Sequence, residues 1–175
     1  MEVTYALGVE MLLAAGIEKT SKKARQRLTN ALASGLAAEK FEQIIAAQGG
    51  NPKTVEDPSV LPQAKEVEVY AAPRTGVVTH VEPRIIGRAV VAMGGGRLKV
   101  EDEVDPTVGF VITVKPGDKV LAGEPIASVF ARDPGGMKLG FEALQLAIGV
   151  KDKLSVKPLP LISHRVSKDG VEKLV

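Results

Sequence analysis

Gly94-Gly95-Gly96-Arg97 is the stretch of this sequence best equipped to hold an anion. Three glycines can turn backbone N–H groups toward a ligand, and a guanidinium follows them. The stretch lacks the Lys-Ser/Thr of a P-loop and does not match the dinucleotide fingerprint. The simpler expectation is a glycine turn that lets the backbone leave a helix and pack closely. His80 and His164 stand far apart, with no cysteine in the chain and no carboxylate four residues away, so they make no metal site. Asp102, Glu103 and Asp105 cluster after the glycines, but a glycosidase-type pair needs carboxylates opposed across a cleft, and neighbours on one loop read as a solvated turn. Ser128 and Ser163 have no nucleophile-elbow context. The expected catalytic, cofactor-binding and metal-ligating sets are therefore empty.

The elements around these residues can be read from periodicity. Gly76 opens a short strand of β-branched residues, Val77, Val78 and Val81. From Glu82 the pattern changes to Ile85, Ile86, Ala89, Val90 and Met93, one face of a helix, with Pro83 suited to its first turn. The glycine triplet ends that helix. Val108–Val114 reads as a strand buried on at least one face. Turns at Pro116-Gly117-Asp118 and Gly123-Glu124-Pro125 precede a strand from Ile126 to Phe130. Val67–Tyr70 alternates as a half-exposed strand would. Leu139–Ile148 reads as a helix with Leu139, Ala143, Leu146 and Ala147 on one side, and Leu159–Val166 as a closing edge strand.

The first fifty residues are helical in pattern. Val3, Leu7, Met11 and Ala14 mark one face of a first helix, which Met1-Glu2-Val3-Thr4 enters without a lead-in, as at a boundary inside a helix. Thr20-Ser21 offers an N-cap for a second, striped by Ala24, Leu28, Ala31 and Leu32. Its other face carries Lys22, Lys23, Arg25 and Arg27, read as solvated because no basic cluster continues it. Ser34 is placed to cap a third helix with Phe41, Ile44 and Ile45 on its buried edge, stopped at Gly49-Gly50-Asn51-Pro52. The expected organisation is a helical segment over 1–50, a proline-rich connector over 51–63 and an α+β domain over 64–175, with a mixed or antiparallel sheet and two helices.

Composition narrows the function classes. A net charge of +2, two Tyr, four Phe and no Trp provide neither a basic field nor base-stacking platforms, so nucleic acid is not an expected partner. No apolar run approaches the ~20 residues needed to span a bilayer. The N-terminal residues lack the basic and apolar regions of a secretory leader. The absence of cysteine fits a reducing, cytoplasmic setting.

Ala89-Val90-Val91-Ala92-Met93-Gly94-Gly95-Gly96-Arg97, followed by Asp105, Val108-Gly109 and Gly117-Asp118, resembles the C-terminal domain of thymidine phosphorylase and pyrimidine-nucleoside phosphorylase. Ser34-Gly35, Glu39-Lys40-Phe41 and Ala47-Gln48-Gly49-Gly50 also resemble that family, in the right order and at the right distance. The resemblance covers nearly the whole chain and is weakest after Asp133. It implies an α/β-hammerhead domain, a barrel-sandwich-like β motif combined with helices, preceded by a few helices of the family's larger α/β domain. Enzymes of the family cleave a pyrimidine nucleoside with inorganic phosphate to give free base and pentose 1-phosphate, without a cofactor. They hold phosphate on a Lys-His-Ser-Thr-Gly-Gly type loop and the base with an Arg, a Ser and a Lys, all upstream of the part represented here. Their dimer contacts are made mostly by N-terminal helices.

The resemblance thus implies a scaffold portion that is inactive alone, whose helices are under-buried without the larger domain. An alternative is a stand-alone hammerhead binding or carrier module, since Gly76-Val77-Val78 and Val114–Ile126 look like half of a biotinyl or lipoyl domain. Lys99, in Arg97-Leu98-Lys99-Val100, does not match the carrier pattern for the modified lysine.

Overall fold

The computed structural model describes residues 1–153 and 159–174. It divides into two compact units. One takes Met1–Leu61 together with the described residues from Leu159 onward, and the other begins at Pro62.

The first unit is built on three helices, α1 (Glu2–Ala14), α2 (Ser21–Ala33) and α3 (Leu36–Ala47). Thr20 caps α2 as its type predicts, its Oγ1 accepting the Lys23 N–H at 3.3 Å. Ser34 does not cap α3. It closes α2, its hydroxyl donating to the Ala31 carbonyl, and Gly35 occupies the N-cap of α3 at φ 82°. Two residues between helices leave room for only one such tight reversal, and glycine takes the left-handed position. Helices α1 and α2 approach where Gly8 meets Leu28: a Cβ on Gly8 would lie 2.9 Å from the leucine Cδ1. Ala24 is fully buried and Val9 nearly so, but Leu7, Met11, Leu32, Phe41 and Ile44 are exposed. The stripes of α1 and α3 are thus largely unburied within this unit, whereas α2 buries Ala24 and partly buries Leu28 and Ala31. Two 3-10 turns follow, Pro52–Thr54 and Pro58–Val60, capped by the side chains of Asn51 and Asp57.

The second unit carries two antiparallel three-stranded sheets. One has the order β1 (Glu66–Ala71), β5 (Pro125–Ala131), β3 (Gly109–Ile112); the other has β4 (Lys119–Val120), β2 (Gly76–Val81), β6 (Ile148–Lys151). Two helices complete it, α4 (Pro83–Val90) and α5 (Pro134–Ala147). With the helical segment ahead of it, this is the α+β class, and the expected antiparallel sheet and two helices are present. Glu82 accepts the Arg84 N–H at 3.2 Å and caps α4, with Pro83 in the first turn. Asp133 does the same for α5 through the Gly136 N–H at 2.9 Å.

Helix α5 begins five residues before the periodicity suggests, and of the expected face only Ala143 and Ala147 meet the core. Leu139 and Leu146 are exposed, while Met137, Gly140, Ala143, Leu144 and Ala147 are buried. That face is lined with small residues because the sheet lies close beneath it, a constraint stronger than side-chain hydrophobicity. The core joins them to Tyr70, Val78, Met93, Val120, Ile126, Val129 and Ile148, with Tyr70 edge-on to Phe141 at 5.7 Å. In β1 the valines Val67 and Val69 face away from the helix and stay half exposed, while Tyr70 faces the core.

At the far end the expected closing strand is confined to β7 (His164–Ser167). Among the described residues it pairs only with β8 (Gly170–Lys173), in a hairpin of the first unit. Arg165 of that hairpin donates to both Glu10 carboxylate oxygens, at 2.8 and 3.0 Å. No helix among the described residues is long and apolar enough to cross a membrane.

Candidate functional site

The glycine turn is the place where sequence allows an anion site, and its geometry is that of packed backbone. Helix α4 runs into a wider helical turn over Val91–Gly95, broken at Gly94, whose φ is 98°. A Cβ on Gly95 would stand 2.8 Å from Val90 Cγ1 and 2.9 Å from Val108 Cγ2. One on Gly96 would stand 2.7 Å from Val91 Cγ2. The Gly94 carbonyl accepts the Asp105 N–H at 2.9 Å, fastening the returning chain to the turn. Gly94 needs glycine for its dihedral angles; Gly95 and Gly96 need it for space.

Arg97, the cation of this motif, is committed to its own loop. Its Nε donates to the Asp102 carbonyl at 3.1 Å, and Asp102 Oδ2 accepts the Leu98 and Lys99 N–H groups at 2.9 Å each. The loop therefore closes on itself and presents Leu98, Lys99 and Val100 to solvent. Lys99 lies on an irregular loop between α4 and β3, whereas a carrier lysine sits on an exposed hairpin. Asp105 accepts both the hydroxyl and the N–H of Thr107, at 2.7 and 2.9 Å. These bonds, the hydroxyl foremost, hold its carboxyl below the usual aspartate range, with Arg132 and Lys65 adding a smaller pull. Asp102 and Asp105 thus act as local loop fasteners, the role expected of a solvated turn, and Glu103 is exposed beside them.

The histidines are not brought into a constellation. His80 is exposed on β2, its Nδ1 3.1 Å from Thr79 Oγ1, and that hydroxyl donates to the Gly149 carbonyl at 3.2 Å. Gly149 is small because the ring lies over it: a Cβ there would stand 2.2 Å from His80 Cε1. His164 belongs to the other unit, its Nδ1 2.9 Å from the Ser163 hydroxyl. Among the described residues no group of three or more His, Asp or Glu could hold a metal ion. Ser128 sits in β5 opposite Val69 and Val111.

On α2, Arg25 donates to both Glu2 oxygens at 3.1 and 2.8 Å and lies over the Tyr5 ring, while Arg27 pairs with Glu18 at 3.2 Å. That face is exposed, and both of its arginines are paired with carboxylates. The Arg74–Asp152 and Arg165–Glu10 pairs were not legible in advance, because their partners are far apart in sequence and carry no local spacing. Recesses of the second unit are lined by Glu66, Glu68, Lys138 and Phe141 in one case, and by Thr75, Lys119, Leu121 and Asp152 in the other. In the first, two carboxylates stand side by side on one strand, an arrangement unlike an acid–base pair opposed across a cleft.

Residues 77–151, the stretch from β2 to the end of β6, match the pyrimidine nucleoside phosphorylase C-terminal domain. Thymidine phosphorylases of Burkholderia cenocepacia (strain HI2424) and Burkholderia orbicola (strain AU 1054) are each 39% identical over 145 residues, 82% of this chain and 33% of theirs. The chain belongs to the pyrimidine-nucleoside phosphorylase family. It corresponds to the C-terminal part of those enzymes. A second Burkholderia cenocepacia thymidine phosphorylase, from strain J2315, is 41% identical over 133 residues, 75% of this chain and 30% of its own. The chain therefore spans about a third of the length of the curated relatives it matches. The packed glycine turn described above lies within the matched residues.

Proposed function

We propose that this chain is the C-terminal, scaffold portion of a thymidine or pyrimidine-nucleoside phosphorylase, and that the parent enzyme converts nucleoside and phosphate to free base and pentose 1-phosphate. The observation that carries the reading is the 145-residue match, which covers most of this chain but only a third of each thymidine phosphorylase. The second unit is a hammerhead in this reading, its two sheets and α5 forming a rigid brace. The helices of the first unit belong to a larger α/β domain, which covers Leu7, Met11, Phe41 and Ile44. The parent is a cytoplasmic homodimer joined through N-terminal helices, and it uses no cofactor or metal from this portion.

Phosphorolysis must stabilise an oxocarbenium-like sugar while placing phosphate beneath the anomeric carbon. That requires cationic and hydrogen-bonding groups aimed at both phosphate and departing base. In this chain Arg97 and Asp102 are engaged with one another's loop, and His80 with Thr79, which supports assigning those tasks to residues outside it. The scaffold's contribution is to hold the larger domain as it closes over substrate.

The test is direct. The purified chain, given thymidine or uridine with phosphate, is expected to release no base above background at any phosphate concentration, whereas a polypeptide that also carries the upstream two-thirds is expected to be active. Release of thymine by the chain alone, abolished by Arg97→Ala or His80→Ala, would overturn the reading.

A further inference from the structure

We draw no further inference here: the strongest candidate, the exposed apolar surface that Leu7 and Met11 of α1 and Phe41 and Ile44 of α3 present in the first unit, belongs to the scaffold reading already proposed, and nothing in the structure shows any other partner that would cover it.

Discussion

Gly140 of α5 lies directly over Val129 of β5, so close that a Cβ on the glycine would stand 2.4 Å from the valine Cγ1. Val129 is fully buried and β-branched, so its side chain has no free rotamer to retreat into. Gly140→Ala is therefore expected to destabilise the second unit by about 1–3 kcal/mol, the usual cost of overpacking, despite alanine's better helix propensity. Urea unfolding of the wild type, both single variants and the Gly140→Ala/Val129→Ala double variant measures it. The double variant should lose less than the sum of the singles, and strict additivity would show that helix and strand do not meet there.

The glycine turn separates two reasons for glycine. Gly95→Val should cost about 1–3 kcal/mol because its side chain would enter the space held by Val90 and Val108, and Gly95→Ala should cost less. Gly94→Ala should also destabilise, by about 1–2 kcal/mol, although little stands near it, because φ there is 98°. Thermal melts of the three variants decide the matter; an unchanged melting temperature for Gly95→Val would mean a loose turn.

Asp102 holds the 97–102 loop through three contacts, two through its side chain. Asp102→Ala removes both carboxylate bonds and should leave the melting temperature almost unchanged, since the loop buries nothing large. Trypsin cleavage after Lys99 should nevertheless quicken several-fold, because opening is local. Equal cleavage rates for the two proteins would show that the carboxylate does not fasten the loop.

Asp105 predicts a pH dependence whose sign is fixed. Its folded-state pKa lies below the unfolded value, so its stabilising contribution is complete above the ordinary aspartate value of about 3.9 and is lost as pH falls through the depressed folded value. Thr107→Val removes the hydroxyl that contributes most to that depression. The variant should therefore show a shallower loss of stability on acidification than the wild type, read from denaturant midpoints across the acid range. Parallel acid limbs would assign the sensitivity to other carboxylates.

Much of the second unit was legible because its signals are local. Pro83 in the first turn of α4, the glycine triplet and the Gly117 and Gly123 turns each announce a backbone conformation through residue type alone. The buried face of α5 was legible only in part. Periodicity picks out Ala143 and Ala147, which are buried, together with Leu139 and Leu146, which are not, and it misses Gly140, whose size matters only once the neighbouring strand is known. The stripe of α3 was legible as a stripe; α1 carries apolar residues on more than one face, and the residue it buries is Val9 rather than Leu7 or Met11. At the glycine motif, sequence allows an anion site but favours a packed turn; the Val90 and Val108 contacts agree with the turn, because those neighbours arrive from separate elements.

The partnership of β1 with β5 also sets a timetable for synthesis. Glu66 is aligned with Ala131, so the first strand of this sheet has no neighbour to pair with until about 65 further residues have been made. At roughly 5–20 residues per second, Val67 and Val69 spend several seconds as an unpaired β-prone segment on the ribosome. The glutamates that alternate with them, Glu66 and Glu68, place charge in the segment during that interval and oppose its pairing with other nascent chains.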